Sequence, residues 1–155
     1  MSREIAARPI GTVRGGRKKP SDDGWDAVEA HIKLDPAQFG PQATASLSDF
    51  SHVEVLFHFH LVEPEAVERG ARHPRGNPEW PKVGIFAQRG KDRPNRIGST
   101  ICELISVDGM TLRVRGLDAI DGTPVLDIKP VMKGFLPRGK VREPTWAKEL
   151  MKQYW

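Results

Sequence analysis

The chain carries a single cysteine, Cys102, among 155 residues, which excludes an intrachain disulfide framework and fits a reducing compartment. Without a partner thiol, Cys102 reads as a small buried apolar residue on a strand. No uncharged apolar run approaches the ~18 residues that a membrane-spanning helix needs. The opening Met1-Ser2-Arg3-Glu4-Ile5 also lacks the apolar core of a secretory leader. A soluble, cytoplasmic protein with no membrane partner is expected. Several nucleotide and catalytic signatures are missing as well. Gly90-Lys91 is not a phosphate loop, because no glycine precedes it at the required spacing and Asp92 stands where Ser or Thr should be. No Gly-x-Gly-x-x-Gly opens a strand-to-helix unit, which excludes a Rossmann site, and no Gly-x-Ser-x-Gly elbow is present. Internal repeats and a regular βαβ alternation are absent.

What is present is enough for a core. An apolar content of 38% in a chain of this length predicts one domain spanning residues 1–155. Lys and Arg number 24 against 20 Asp and Glu, for a net charge of +4. That mild excess permits nucleic-acid binding without demanding it. The cations cluster in three groups: Arg14, Arg17, Lys18 and Lys19; Arg89, Lys91, Arg93 and Arg96; and Lys133, Arg138, Lys140 and Arg142. Solvated loops explain the first and third equally well. In the second, Gly90, Pro94 and Gly98 constrain the backbone around the charges.

Strands dominate the pattern. Residues 5–13 predict a first strand with Pro9 near an edge. Residues 27–34 alternate Val28, Ala30, Ile32 and Leu34 against Glu29, His31 and Lys33, which predicts a half-buried strand. Residues 51–61 set Val53, Val55, Phe57, Phe59 and Leu61 on one face and His52, Glu54, Leu56, His58 and His60 on the other. Further strands are expected at 83–87, 97–107 and 110–116, the last two joined by the hairpin dipeptide Asp108-Gly109. Residues 125–128 predict a short extended piece. Helical turns are expected near 42–47 and 65–69, and 70–81 reads as a loop. Thr145 predicts the N-cap of a helix running to Tyr154, whose aromatics Trp146, Tyr154 and Trp155 would dock on the barrel or on a second subunit. The fold class is therefore mainly β: a small closed or nearly closed barrel of six to seven strands, with short helices and a C-terminal helix.

Two loops after strands stand out as pocket builders, Arg89 to Ser99 and Leu117 to Pro130. Asp121-Gly122-Thr123-Pro124 by itself is turn chemistry. His58 and His60, with His52, Glu54 and His73 near in sequence, allow a metal site to be drawn. Imidazoles on the polar face of a half-buried strand are the stronger reading, so no metal is expected.

Four segments in this order resemble one family: Pro9-Ile10-Gly11; Phe50-Ser51-His52 with Phe57-His58-Phe59-His60; Arg93-Pro94-Asn95 with Ile97-Gly98; and Asp121-Gly122-Thr123-Pro124 with Asp127-Ile128-Lys129-Pro130. Over residues 9–130 the chain resembles the TsaA-like (TrmO-like) β-barrel methyltransferases, which methylate N6-threonylcarbamoyladenosine in tRNA. The resemblance implies an S-adenosylmethionine-dependent enzyme that acts as a homodimer, with tRNA as the expected substrate. It places His60, Leu61, Arg89, Ser99, Asp121, Gly122, Thr123 and Pro124 at cofactor-binding positions. Arg93 and Asn95, beside Arg96, would serve catalysis by positioning or polarising the nucleophilic nitrogen.

The chain departs from the family pattern in two places. Gln88-Arg89-Gly90-Lys91 stands where Thr-Arg-Ser-Pro is usual, with Arg96 in place of a proline. Pro20-Ser21-Asp22-Asp23-Gly24-Trp25 occupies the region of the usual Pro-Arg-Gln cofactor segment. Trp25 is a candidate to stack on adenine, against plain packing. The chain also resembles a short form without the C-terminal region with which longer members hold tRNA. Two rivals remain: a non-catalytic RNA-binding barrel, and a metal enzyme using His58, His60 and His73.

Overall fold

A computed structural model describes residues 3–155. Six antiparallel strands close a barrel, and all but one are short because turn residues interrupt the apolar alternation. They are β1 (Gly11–Arg14), β2 (Glu29–Leu34), β3 (His52–His58), β6 (Ile97–Asp108), β7 (Thr111–Arg115) and β8 (Pro124–Pro130). The order around the barrel is β1-β2-β7-β6-β3-β8, so no edge strand is left over. A separate two-stranded ribbon pairs β4 (Ala71–Arg72) with β5 (Val83–Gly84).

Alternation decides which side chains fill the interior. Val53, Val55 and Phe57 of β3 meet Val13, Ile32, Leu112, Val114 and Val125 from the other strands, all essentially inaccessible to solvent. Each such side chain contributes about 1.5–3 kcal/mol on burial. The close approach of β6 to β3 depends on Gly98. A Cβ there would lie 2.5 Å from the Phe57 ring and 2.9 Å from Phe59, and those two rings pack edge to face at 5.3 Å. Cys102 is buried among these residues, and burial, then the charge of Asp118, pushes its thiol pKa up to about 12.

The expected elements shift in four places. The first strand begins only at Gly11, because Pro9 offers no N–H and Ile5, 92% exposed, finds no partner. Residues 83–87 do not enter the barrel. Val83 and Gly84 pair with Ala71 and Arg72, inside what reads as a loop, and Ile85–Ala87 curls into a 3-10 turn that buries Ile85. The short piece at 125–128 is a full barrel strand, lengthened to Pro124–Pro130 because it fills the gap between β1 and β3.

The last helix, α1 (Thr145–Met151), is also shorter than expected, and Pro144 rather than Thr145 occupies its cap without a side-chain bond. Beyond Met151 the backbone carbonyls leave the helix. Gln153 and Tyr154 accept instead from the amides of Gly24 and Trp25, at 3.0 and 2.9 Å. Among the described residues, no helix is long and apolar enough to cross a membrane.

Candidate active site

β6 is longer than its neighbour. It pairs with β3 from Ile97 to Glu103 but meets β7 only from Glu103 onward, so the β7 side of residues 97–102 faces no strand. Unpaired strand backbone of this kind presents donors and acceptors to a ligand. After β7, the chain passes Gly116, Leu117 and Asp118 across this gap and turns through 121–124 into β8. Thr100 donates its hydroxyl to Asp118 and ties the two sides together. The gap is a cleft between β6 and the start of the 117–124 segment, and the cavity along it is lined by Ile101, Cys102, Glu103, Arg115, Gly116 and Trp155.

The expected cofactor residues fall in two sets. On the β6 side, Arg89 is exposed and donates from Nη2 to the Ser99 carbonyl at 2.6 Å. The Ser99 hydroxyl donates to Glu54 Oε1 at 2.9 Å. On the other side, Asp121 accepts from the Gly15 amide at 2.9 Å, and the Thr123 hydroxyl donates to the Ile120 carbonyl at 2.7 Å. Gly122, at φ +87°, donates to the Val13 carbonyl. The turn lies against His60, since a Cβ at Gly122 would stand in ordinary contact with its Nε2 at 3.9 Å, and it is the positive φ that calls for glycine here. Pro124 opens β8 opposite Thr12. Leu61 is 58% exposed just beyond His60.

The loop carrying Arg89 is held by its own cations. Arg93 Nη1 donates to the Gln88 carbonyl at 2.7 Å and to Gly90 at 3.4 Å. Arg96 Nη1 donates to the Val62 carbonyl at 2.6 Å, and its own carbonyl accepts from Phe59 at 2.8 Å. Asp92 joins Arg72 and Lys91. Burial alone would raise the Asp92 carboxyl, but the hydrogen bonds from Arg72 and Lys91 leave it below its ordinary value. Asn95 and Arg96 both take left-handed backbone, at φ 62° and 51°. Asn tolerates this, whereas an arginine there stores about 1–2 kcal/mol. Asn95 is exposed on the outside of that turn.

One expectation changes here. Trp25 is 3% exposed, with the Arg17 guanidinium 4.5 Å over its ring and its Nε1 donating to Ser21, so plain packing replaces adenine stacking. Arg17 thereby serves packing too, and it also bonds the Asp23 and Gly24 carbonyls. His73 shares a 2.7 Å hydrogen bond between Nδ1 and the Trp80 carbonyl. No group of three or more His, Cys, Asp or Glu among the described residues could hold a metal ion.

Glu54, Thr100, Asp118 and Tyr154 escape a sequence reading of the site. Glu54 could have been found from the strand register, which sets Leu56 opposite Ser99 and Glu54 on the adjacent diagonal, opposite Ile101. No local pattern marks the other three.

Comparison with known proteins agrees with this architecture. The model of the tRNA-methyltransferase O N-terminal domain matches residues 17–135. A probable S-adenosyl-L-methionine-binding protein of Pyrococcus abyssi is 36% identical over 148 residues, covering 89% of this chain and 74% of that protein. A human tRNA (adenine(37)-N6)-methyltransferase is 41% identical over 98 residues, 63% of this chain but 22% of its own length. The crystal structure of TrmO from Pseudomonas aeruginosa superposes with a TM-score of 0.72 at 28% identity, covering 90% of this chain and 62% of that one. With its barrel and these matches, the chain belongs to the family of the tRNA-methyltransferase O N-terminal domain.

Proposed function

We propose that this chain is an S-adenosylmethionine-dependent methyltransferase acting on a nitrogen of a modified nucleoside in tRNA, N6-threonylcarbamoyladenosine. In this reading it works as a single β-barrel domain, in the cytoplasm, as a homodimer. The observation that carries the reading is the open β6 edge, which holds Arg89 against Ser99 and is tied through Thr100 to Asp118. The residues fit the cofactor. Arg89 is a guanidinium for its carboxylate, the free edge of β6 offers backbone groups for adenine, and Gly122 allows the left-handed turn that sets its backbone beside His60. Leu61 adds apolar surface.

When bound, S-adenosylmethionine would supply a methyl on a sulfonium: the new C–N bond would form as the S–C bond breaks, S-adenosylhomocysteine would leave, and the proton of the acceptor nitrogen would pass to solvent. The protein's share is placement. Asp121, Thr123 and Pro124 shape the turn, and Asn95 presents its amide to the acceptor. Arg93 serves the acceptor side through the loop it clamps. The relatives named for tRNA methylation support this choice of acceptor. Ile97 and Ile101, 42% and 47% exposed on the outer face of β6 on either side of Ser99, support an apolar contact between two subunits beside the cleft.

Calorimetric titration with S-adenosylmethionine and S-adenosylhomocysteine tests the reading. Saturable, stoichiometric binding weakened by Asp121→Ala is expected. No binding at millimolar ligand, together with RNA binding that falls steeply with salt, would replace it by the non-catalytic RNA-binding barrel.

A further inference from the structure

The Asp118 carboxylate, half-buried between β6 and the chain that follows α1, accepts two hydroxyls. Thr100 donates to Oδ1 from inside the barrel, and Tyr154 donates to Oδ2 from outside. Asp118 lies three residues before Asp121, and Thr100 follows Ser99, whose carbonyl Arg89 holds. One carboxylate therefore joins both walls of the cleft, and Tyr154 is its outer partner.

The tyrosine is itself fixed. Its carbonyl accepts from Trp25 and that of Gln153 from Gly24, and Trp155 packs edge-on against its ring at 4.8 Å. The same segment is tied a turn earlier by Trp80 Nε1 donating to Glu149 at 2.8 Å. Arg75, which pairs with Asp23 at 2.9 Å, and Arg89 are both near enough for their charges to act on the Tyr154 hydroxyl.

We propose that Tyr154 is a positioning residue of the cleft: by donating to Asp118 it fixes the 117–124 segment against the open edge of β6 and sets the width of the cofactor site. The role rests on the cofactor reading given above. Physically, an ionised carboxylate with two donors has one favoured position, whereas with one donor it rotates toward solvent and takes the following turn with it. A charge-assisted bond at a half-buried site is among the stronger single contacts available to a loop.

Tyr154 is the single tyrosine of the chain, so the rise with pH in absorbance at 295 nm, above the constant contribution of the four tryptophans, reports on this hydroxyl alone. Burial, then the Asp118 charge and hydrogen bond, raises its pKa far above the ordinary value, with Arg75 and Arg89 opposing. At pH 11 a free tyrosine, with pKa about 10, is mostly ionised. The folded chain is expected to show little tyrosinate there, the urea-unfolded chain full tyrosinate, and Asp118→Asn an intermediate signal.

The second measurement is the S-adenosylmethionine dissociation constant of Tyr154→Phe and Thr100→Val, each with its melting temperature. Both variants are expected to bind roughly fivefold or more weakly while melting within a few degrees of the unaltered chain. Glu149→Gln, which removes a charge from α1 but keeps an oxygen to accept from Trp80 and does not touch Asp118, is expected to bind normally. Three results overturn the positioning role: Tyr154→Phe binding within twofold of the unaltered chain, Glu149→Gln weakening binding as much as Tyr154→Phe, or ordinary ionisation of the folded tyrosine. Failure of the unaltered chain to bind cofactor overturns the cofactor reading itself, and this role for Tyr154 with it.

Discussion

Ser99 gives its hydroxyl to Glu54 at 2.9 Å across the β3 and β6 pairing, while its carbonyl receives Arg89 at 2.6 Å on the opposite edge of the strand. One residue thus couples the polar face of β3 to the wall of the cleft. Its hydroxyl is half-buried, so removing one partner leaves the other wanting. Ser99→Ala and Glu54→Ala are each expected to cost about 0.5–1.5 kcal/mol of stability. Because they remove the same bond, the double variant should cost clearly less than their sum. Urea denaturation of all four chains measures the coupling, and strict additivity would show that the bond contributes nothing.

Gly98 sits one residue earlier, where Phe57 leaves no room for a Cβ. Gly98→Ala is expected to destabilise the barrel by roughly 1–3 kcal/mol, the usual cost of overpacking. Phe57→Leu should restore part of that loss when combined with it, although Phe57→Leu alone destabilises. Denaturant midpoints of the two singles and the double decide the matter. Additive losses would mean that the ring is not what Gly98 accommodates.

Arg93 connects the acceptor side to the cofactor side, since its guanidinium spans the carbonyls of Gln88 and Gly90 around Arg89. Arg93→Ala should therefore weaken S-adenosylmethionine binding as well as turnover, by roughly fivefold or more for the loss of such a bond. Arg93→Lys should recover little, because an ammonium lacks the planar fork. Unchanged cofactor affinity with turnover alone reduced would return Arg93 to direct work on the acceptor.

The barrel was legible because its strands alternate. Val53, Val55 and Phe57 at period two require a buried face, and Asp108-Gly109 requires a hairpin, with Gly109 at φ +57°. The turn at 121–124 was legible from its turn residues, although the partners of Asp121 and Gly122 lie far off in sequence, on β1 and just after it. What sequence could not supply is contact between elements. Tyr154 reaches Asp118 from 36 residues away, and nothing local at either position announces it. Trp25 misled for a related reason. An aromatic ring in a polar segment looks available for stacking, until Arg17 and the backbone of 153–154 close over it.

His58 supplies a pH dependence whose sign follows from its surroundings. It lies on β3 opposite Ile97. Burial first, then the positive charges of Arg96 and His60, holds its imidazole below the ordinary value of 6.5. Between that lowered value and 6.5 the unfolded chain binds more protons than the folded one, so stability rises with pH across this window. The stabilisation is complete above 6.5 and is lost as pH falls through the folded value. Denaturant midpoints should therefore drop from pH 7.5 to 5.5, and His58→Gln should lessen the drop. The imidazole resonances of His58 should titrate below 6.5 by NMR, and Arg96→Gln should move that titration upward by removing the nearer fixed charge. An unmoved midpoint in Arg96→Gln would leave burial as the cause and detach His58 from the Arg96 turn.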